Sequence, residues 1–120
     1  MIRYEVYSGK DVIEIATTAL QERLYHHPDW SLKQTLKVIL KFGNIMRCTI
    51  AAAFDGETLI GICYNDKYLE VETYVRPNYR RKGIGSELLK LVYVDGTTFN
   101  YGIEGSLEFY LKNQLEASQR

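Results

Sequence analysis

The chain has 120 residues, 46% hydrophobic and 25% charged, which is material for one core over residues 1–120 and too little for two ordinary domains. Fifteen Lys and Arg balance fifteen Asp and Glu, so any basic cluster is a local device and nucleic acid is not an expected partner. No apolar run approaches the ~20 residues of a membrane span, and the N-terminus, where Arg3 and Glu5 lie inside an alternating pattern, does not read as a signal peptide; the expectation is a cytoplasmic protein with no membrane partner.

In chain order, Ile2 to Tyr7 alternates and predicts a strand. Val12, Ile13, Ala16, Ala19, Leu20 and Leu24 recur at helical spacing, predicting an amphipathic helix from about 10 to 25. His26, His27, Pro28, Asp29 and Trp30 break it. Ser31 with Gln34 forms a capping box, and Leu32, Leu36, Ile39 and Leu40 mark a second helix closed by Gly43. Asp55-Gly56 is a two-residue hairpin signal between Met46 to Phe54 and Glu57 to Cys63, and a loop of that length sets Cys48 opposite Cys63 as facing reduced thiols. Neither Cys has a His at ligand spacing, so no metal is expected. Tyr68 to Arg76 is the next strand, and Ile84, Leu88, Leu91 and Val92 give a third helix its buried face. No linker, repeat or low-complexity segment divides the chain.

The segment from Tyr74 to Lys90 joins that strand to that helix through a basic turn punctuated by Gly83 and Gly85. Backbone N–H groups at a helix start have no intrahelical partner and lie at the positive end of the helix dipole, so they attract an anion and donate to it. Glycine lets a pyrophosphate approach the backbone and tolerates positive φ. The spacing excludes a dinucleotide fingerprint, because Leu88 stands where a third glycine is required, and no phosphate-binding loop of the G-x-x-x-x-G-K-[ST] type occurs. A plain solvated loop is the competing reading; against it, a glycine inside the first turn of a helix costs about 1 kcal/mol unless the backbone needs it.

Arg80, Arg81, Lys82, Gly83, Ile84 and Gly85 resemble the R/Q-x-x-G-x-G/A motif of the GCN5-related N-acetyltransferase (GNAT) family, and the match extends through Val75, Pro77 and Tyr79 upstream and the helix downstream. The resemblance implies an α/β (α+β) fold with a central mixed, mostly antiparallel sheet flanked by helices, in the order β-α-α-β-β-β-α-β-α. The first seven elements of that order also follow from periodicity. The family's fifth strand and last helix fall on Thr97 to Ile103 and Gly105 to Asn113, although Val92 to Phe99 also reads as a hairpin around Asp95-Gly96. By the same resemblance, acetyl-coenzyme A is the acyl donor, the amides of residues 81–86 cradle its pyrophosphate, and Arg80, Arg81 and Lys82 add charge around it, with Ser86 in the same turn. Tyr74 and Val75 would offer backbone to the pantetheine amides, as an added strand does.

Acetylating an amine needs a route for the amine proton and an acid for the departing thiolate. Residues Glu108 to Lys112 resemble the family segment in which a Tyr after an apolar residue supplies that acid, which makes Tyr110 the candidate; a core or rim aromatic is the alternative in a chain with ten Tyr. Glu72 is the candidate base, acting through water, against the reading of Glu70 and Glu72 as solvated or salt-bridged. Counting back six residues from Val75, where some relatives hold a glutamate, gives Leu69, and a bulge in this strand would change the side Glu72 faces. The resemblance places Trp30 beside an acceptor site, whereas His26 and His27 read as a solvated helix end.

Relatives usually continue into two more strands, whereas ten residues follow Tyr110 and read as a polar tail; the family's usual Asn before the last helix is replaced by Ile103. The acceptor side is then minimal, to be completed by a second subunit, as in a homodimer, or left open for a large acceptor. The implied function is transfer of an acetyl group from acetyl-coenzyme A to an amine on a protein or small molecule. Two alternatives stay open: a non-catalytic module of this fold that binds a partner protein, and a binder of another acyl-coenzyme A.

Overall fold

Both faces of the central strands are apolar, and helices cover each face. The computed structural model describes residues 1–25, 30–43, 47–66, 70–94, 98–99 and 116–117. Its strands are β1 (Ile2–Ser8), β2 (Thr49–Asp55), β3 (Thr58–Asn65), β4 (Glu70–Val75), β5 (Thr98–Phe99) and β6 (Glu116–Ala117), and its helices α1 (Val12–Gln21), α2 (Trp30–Phe42) and α3 (Ile84–Val92). They form one mixed sheet in the order β1-β2-β3-β4-β5-β6, antiparallel through β4 and parallel from β4 to β6.

Period-two alternation divides the side chains between two layers. Ile50, Ala52 and Phe54 of β2, with Leu59, Ile62 and Tyr64 of β3, pack against Val12, Ile15 and Ala19 of α1 and Leu32, Leu36 and Ile39 of α2. Ala51, Ala53, Ile60 and Cys63 face the other way, against Ile84, Leu88, Leu89 and Val92 of α3. Leu59 and Ile62 share a face despite odd separation because the register slips between Ala53 and Phe54, leaving an extra residue on β3.

That slip and the turn correct the predicted hairpin. Asp55 pairs with Thr58, so the loop is Gly56-Glu57, with Gly56 at φ +62 in the first loop position, the pattern of a type II′ turn. Cys63 accordingly stands opposite Ala51, and not Cys48. Both thiols are free and buried. No bulge interrupts β4 against β3 from Val71 to Val75, so Glu72 keeps its plain strand orientation.

Helix boundaries shift too. α2 begins at Trp30, which puts Ser31 inside the first turn and not at the cap. Gly43 does follow α2, yet its φ is not left-handed; a Cβ there would meet the Ile39 carbonyl oxygen at 2.6 Å and Ile13 Cγ1 at 2.7 Å, so close packing of α2 on α1 is what demands glycine. On α3, Leu89 and not Leu91 completes the buried face, Leu91 being 44% exposed. β6 falls in the segment expected to be a polar tail, and two residues are too few for periodicity to reveal. Only Thr98 and Phe99 of the predicted fifth strand are described, and Gly105 to Asn113 lies outside the described residues.

Burial pushes both thiols up, from 9.0 to about 12 for Cys48 and for Cys63. The folded state holds these protons more tightly than the unfolded state, so the stability they contribute is fully present below pH 9 and is lost as pH rises towards 12. We predict that a disulfide-exchange reagent at pH 8 labels neither thiol until the protein unfolds, and that the urea midpoint falls on alkalinisation less steeply in Cys63→Ala than in the parent. Prompt labelling of the native protein would contradict the burial described.

Candidate functional site

The end of β4 is where the sheet exposes backbone. The Arg76 N–H donates to the Ile60 carbonyl at 2.8 Å, which makes that opposed pair a hydrogen-bonded one. Antiparallel ladders alternate, so the N–H and C=O of Val75 point away from β3. On that side β4 pairs with β5 at Glu70 and Val71, well short of Val75.

The chain is fixed firmly as it leaves β4. The Arg76 guanidinium donates through Nε to the Leu59 carbonyl at 2.7 Å and through Nη2 to the Glu22 carbonyl at 3.3 Å, tying β3 and the end of α1 to this point. A 3₁₀ turn follows at Pro77–Tyr79, and the Tyr79 hydroxyl donates to Asp55 Oδ2 at 2.6 Å, anchoring the turn to the end of β2. That bond to a carboxylate raises the Tyr79 pKa above 10.0.

Two left-handed residues then redirect the backbone, Arg81 at φ +63 and Gly83 at φ +83. Gly83 is the N-cap of α3 and offers no side chain to satisfy the helix start. The first helical bond runs from Glu87 N–H to the Gly83 carbonyl at 3.1 Å. Among the described residues, the amides of residues 81–86 donate to no protein group. A Cβ built on Gly83 would meet nothing within 4 Å, so the space beside Gly83 is open. Successive unpaired amides in a left-handed turn, at the positive end of a helix, form an anion-binding nest. Arg81 is no glycine, and its conformation costs about 1–2 kcal/mol.

The predicted binding residues divide by exposure. Arg80, Arg81, Lys82 and Gly83 are exposed, and Gly85 and Ser86 half-buried at the first turn. Ile84 and Tyr74 are core residues at 4% and 6% exposure; Ile84 has only its backbone to offer, and the backbone of Tyr74, one residue before Val75 in the alternating ladder, faces Ile62 of β3. Arg80 does not reach out over the nest: its Nε donates to the Val75 carbonyl at 2.7 Å and its guanidinium lies 5.4 Å from the centre of the Tyr74 ring. Lys82 rests 5.7 Å above the Tyr79 ring. The basic cluster is therefore partly structural.

Glu72 lies on the α1 and α2 side of β4, the face it shares with Tyr74, and accepts a hydrogen bond from the Tyr64 hydroxyl at 2.5 Å. The same hydroxyl lies 3.3 Å from Thr35 Oγ1 on α2. Tyr64 is 8% exposed and Glu72 half-buried, and the register of β3 on β4 sets them opposite each other. Sequence reasoning missed Tyr64 among ten Tyr; a turn at Asn65-Asp66 would have set it opposite Lys67, and only the β3–β4 register brings it to Glu72. It also missed Arg76, which stood there only as the end of a predicted strand. Tyr110, His26 and His27 lie outside the described residues, as does the side chain of Trp30. Among the described residues, no group of three or more His, Cys, Asp or Glu stands close enough to hold a metal ion, and no helix is long and apolar enough to cross a membrane.

The acetyltransferase (GNAT) family model matches residues 10–114. The chain belongs to this family. Solved structures share the fold: an aminoglycoside N-acetyltransferase in complex with coenzyme A is 17% identical, with a TM-score of 0.60 over 100% of this chain and 91% of that one. A GNAT-family acetyltransferase from Streptococcus pneumoniae is 19% identical, with a TM-score of 0.58 over 97% of this chain and 88% of that one. The PaiA N-acetyltransferase from Thermoplasma acidophilum, in complex with coenzyme A, is 20% identical, with a TM-score of 0.52 over 94% and 88%. No curated protein matches the sequence.

Gly83→Ala should cost about 1–2 kcal/mol, through strain at a left-handed φ and not through a clash. Arg76→Ala should cost about 1–3 kcal/mol by stranding the carbonyls of Leu59 and Glu22. Urea denaturation measures both, and an unchanged midpoint in either variant would contradict the geometry assigned to it.

Proposed function

We propose that this chain, acting as one domain over residues 1–120, transfers an acetyl group from acetyl-coenzyme A to an amine. The observation that carries the reading is the row of unpaired amides over residues 81–86, open at Gly83 and aimed from the start of α3. Their number and arrangement suit a pyrophosphate, with Arg81 and Lys82 adding positive charge. The outward amide of Val75 is the natural partner for the amide-bearing arm, with Arg80 leaving the Val75 carbonyl when that arm binds. Relatives of the same fold bind coenzyme A, which supports the same ligand here.

In the reaction, the amine nitrogen attacks the thioester carbonyl, a C–N bond forms, the C–S bond breaks, and coenzyme A leaves as its thiolate. Glu72, through a water, takes the amine proton, and Tyr110 protonates the thiolate. The hydrogen bond from Tyr64 holds the Glu72 carboxylate in place. The acceptor amine belongs to a protein or a small molecule. Two buried free thiols suit a reducing compartment, hence the cytoplasm.

A second reading, a coenzyme-binding module that acts by engaging a partner protein, draws on one observation: the Glu72 carboxylate already has a close phenol partner. Turnover separates the two. With a panel of primary amines, the enzyme reading expects coenzyme A release that falls roughly 10²-fold in Tyr110→Phe and in Glu72→Gln while acetyl-coenzyme A affinity stays constant. Saturable coenzyme binding with no release from any amine would favour the module.

A further inference from the structure

β1 is the outer strand of the sheet opposite the nest, and among the described residues nothing pairs with its free side. Protected edges are usually short, bulged, interrupted by proline or lined with charge. β1 is not short, bulged or broken by proline: its seven residues pair with β2 without a register break, from Ile2 opposite Asp55 to Ser8 opposite Thr49, and its charges, Arg3 and Glu5, are of opposite sign. Ile2 and Tyr4 pack against the α3 layer, whereas Val6, next on the same face, is 51% exposed. On the other face Arg3 and Glu5 are joined at 2.7 Å with their side chains 47% and 44% exposed.

A strand that pairs with its own copy about a two-fold axis runs antiparallel to it, and only the register is free. Centring on Arg3 or on Glu5 sets like charges opposite each other, which is unfavourable. Centring on Val6 leaves Arg3 facing a residue beyond the strand. Centring on Tyr4 sets Arg3 opposite Glu5 of the second copy and Glu5 opposite its Arg3. Four charges then alternate in sign on one face, while Ile2 meets Val6 and Tyr4 meets Tyr4 on the other. Of these registers, only this one sets Arg3 and Glu5 opposite each other, and it also covers the exposed valine with Ile2.

We propose that β1 pairs with β1 of a second copy of this chain, antiparallel and centred on Tyr4, joining two six-stranded sheets into one. The nests at the two α3 N-termini stay outside this junction, since β4 is separated from β1 by two strands. A junction of five residue pairs is small, so the association is a concentration-dependent equilibrium.

Sedimentation velocity over a concentration series tests this, with circular dichroism confirming that each variant is folded. Arg3→Glu and Glu5→Arg each set like charges opposite one another twice across the axis, and each should weaken the dimer by about tenfold or more. Mixing the two variants sets the two acidic side chains of one chain opposite the two basic side chains of the other, and should restore association as a heterodimer. Val6→Lys, which leaves the charge pair within the chain intact, should weaken the dimer as well. A protein that stays monomeric up to high micromolar concentration would overturn the proposal. So would a dimer indifferent to these substitutions, or a mixture that fails to recover.

Discussion

Arg76 is the fixed point on which the site depends. Its backbone continues the β3 ladder, and its guanidinium reaches the carbonyls of Leu59 and Glu22, so the last residue before the turn is bound to β3 and to the end of α1 at once. Hydrogen bonds from a charged donor are stronger than neutral ones. Tyr79 on Asp55 anchors the far side of the 3₁₀ turn in the same way. Between these anchors and α3 the chain has little choice but to pass through left-handed conformations at Arg81 and Gly83. The unpaired amides that result are a strained, preorganised feature, and strain of this kind is characteristic of binding sites.

The packing explains why α3 starts where it does. Ala51, Ala52 and Ala53 of β2 are fully buried, and such small side chains let helices approach both faces of the sheet. The bulge in β3 brings Leu59 into the α1 and α2 layer while Ile60 supports α3. It also leaves the Leu59 and Ile60 carbonyls where Arg76 can use them, so a one-residue irregularity beneath the site connects core packing to the geometry of the nest.

What was legible in the sequence follows from what each signal measures. Helical spacing located α1, α2 and α3 and alternation located β1, because both report burial along one element, whereas β2 and β3, buried on both faces, were marked by the Asp55-Gly56 turn signal between them. The basic glycine turn was legible as a place where the backbone turns left-handed into a helix start, because glycine pairs there have few other reasons to exist. The hairpin register was not, since Asp55-Gly56 and Gly56-Glu57 both fit a two-residue loop and the bulge leaves no mark on composition. Leu89 and Leu91 stand two residues apart, and only the tilt of α3 on the sheet decides which one is buried. The structural use of Arg76 and Arg80 and the pairing of Tyr64 with Glu72 are cross-strand relations, which a one-dimensional pattern cannot carry.

The central claim is that the amides of residues 81–86 receive a pyrophosphate. Amide chemical shifts of the isotopically labelled protein, followed by two-dimensional NMR while coenzyme A is added, test it most directly. The account predicts saturable shifts that are largest and downfield at Gly83, Ile84, Gly85 and Ser86, with smaller ones at Val75. Saturable binding that leaves those amides unmoved and shifts another surface would contradict it, as would the absence of any shift at high ligand concentration.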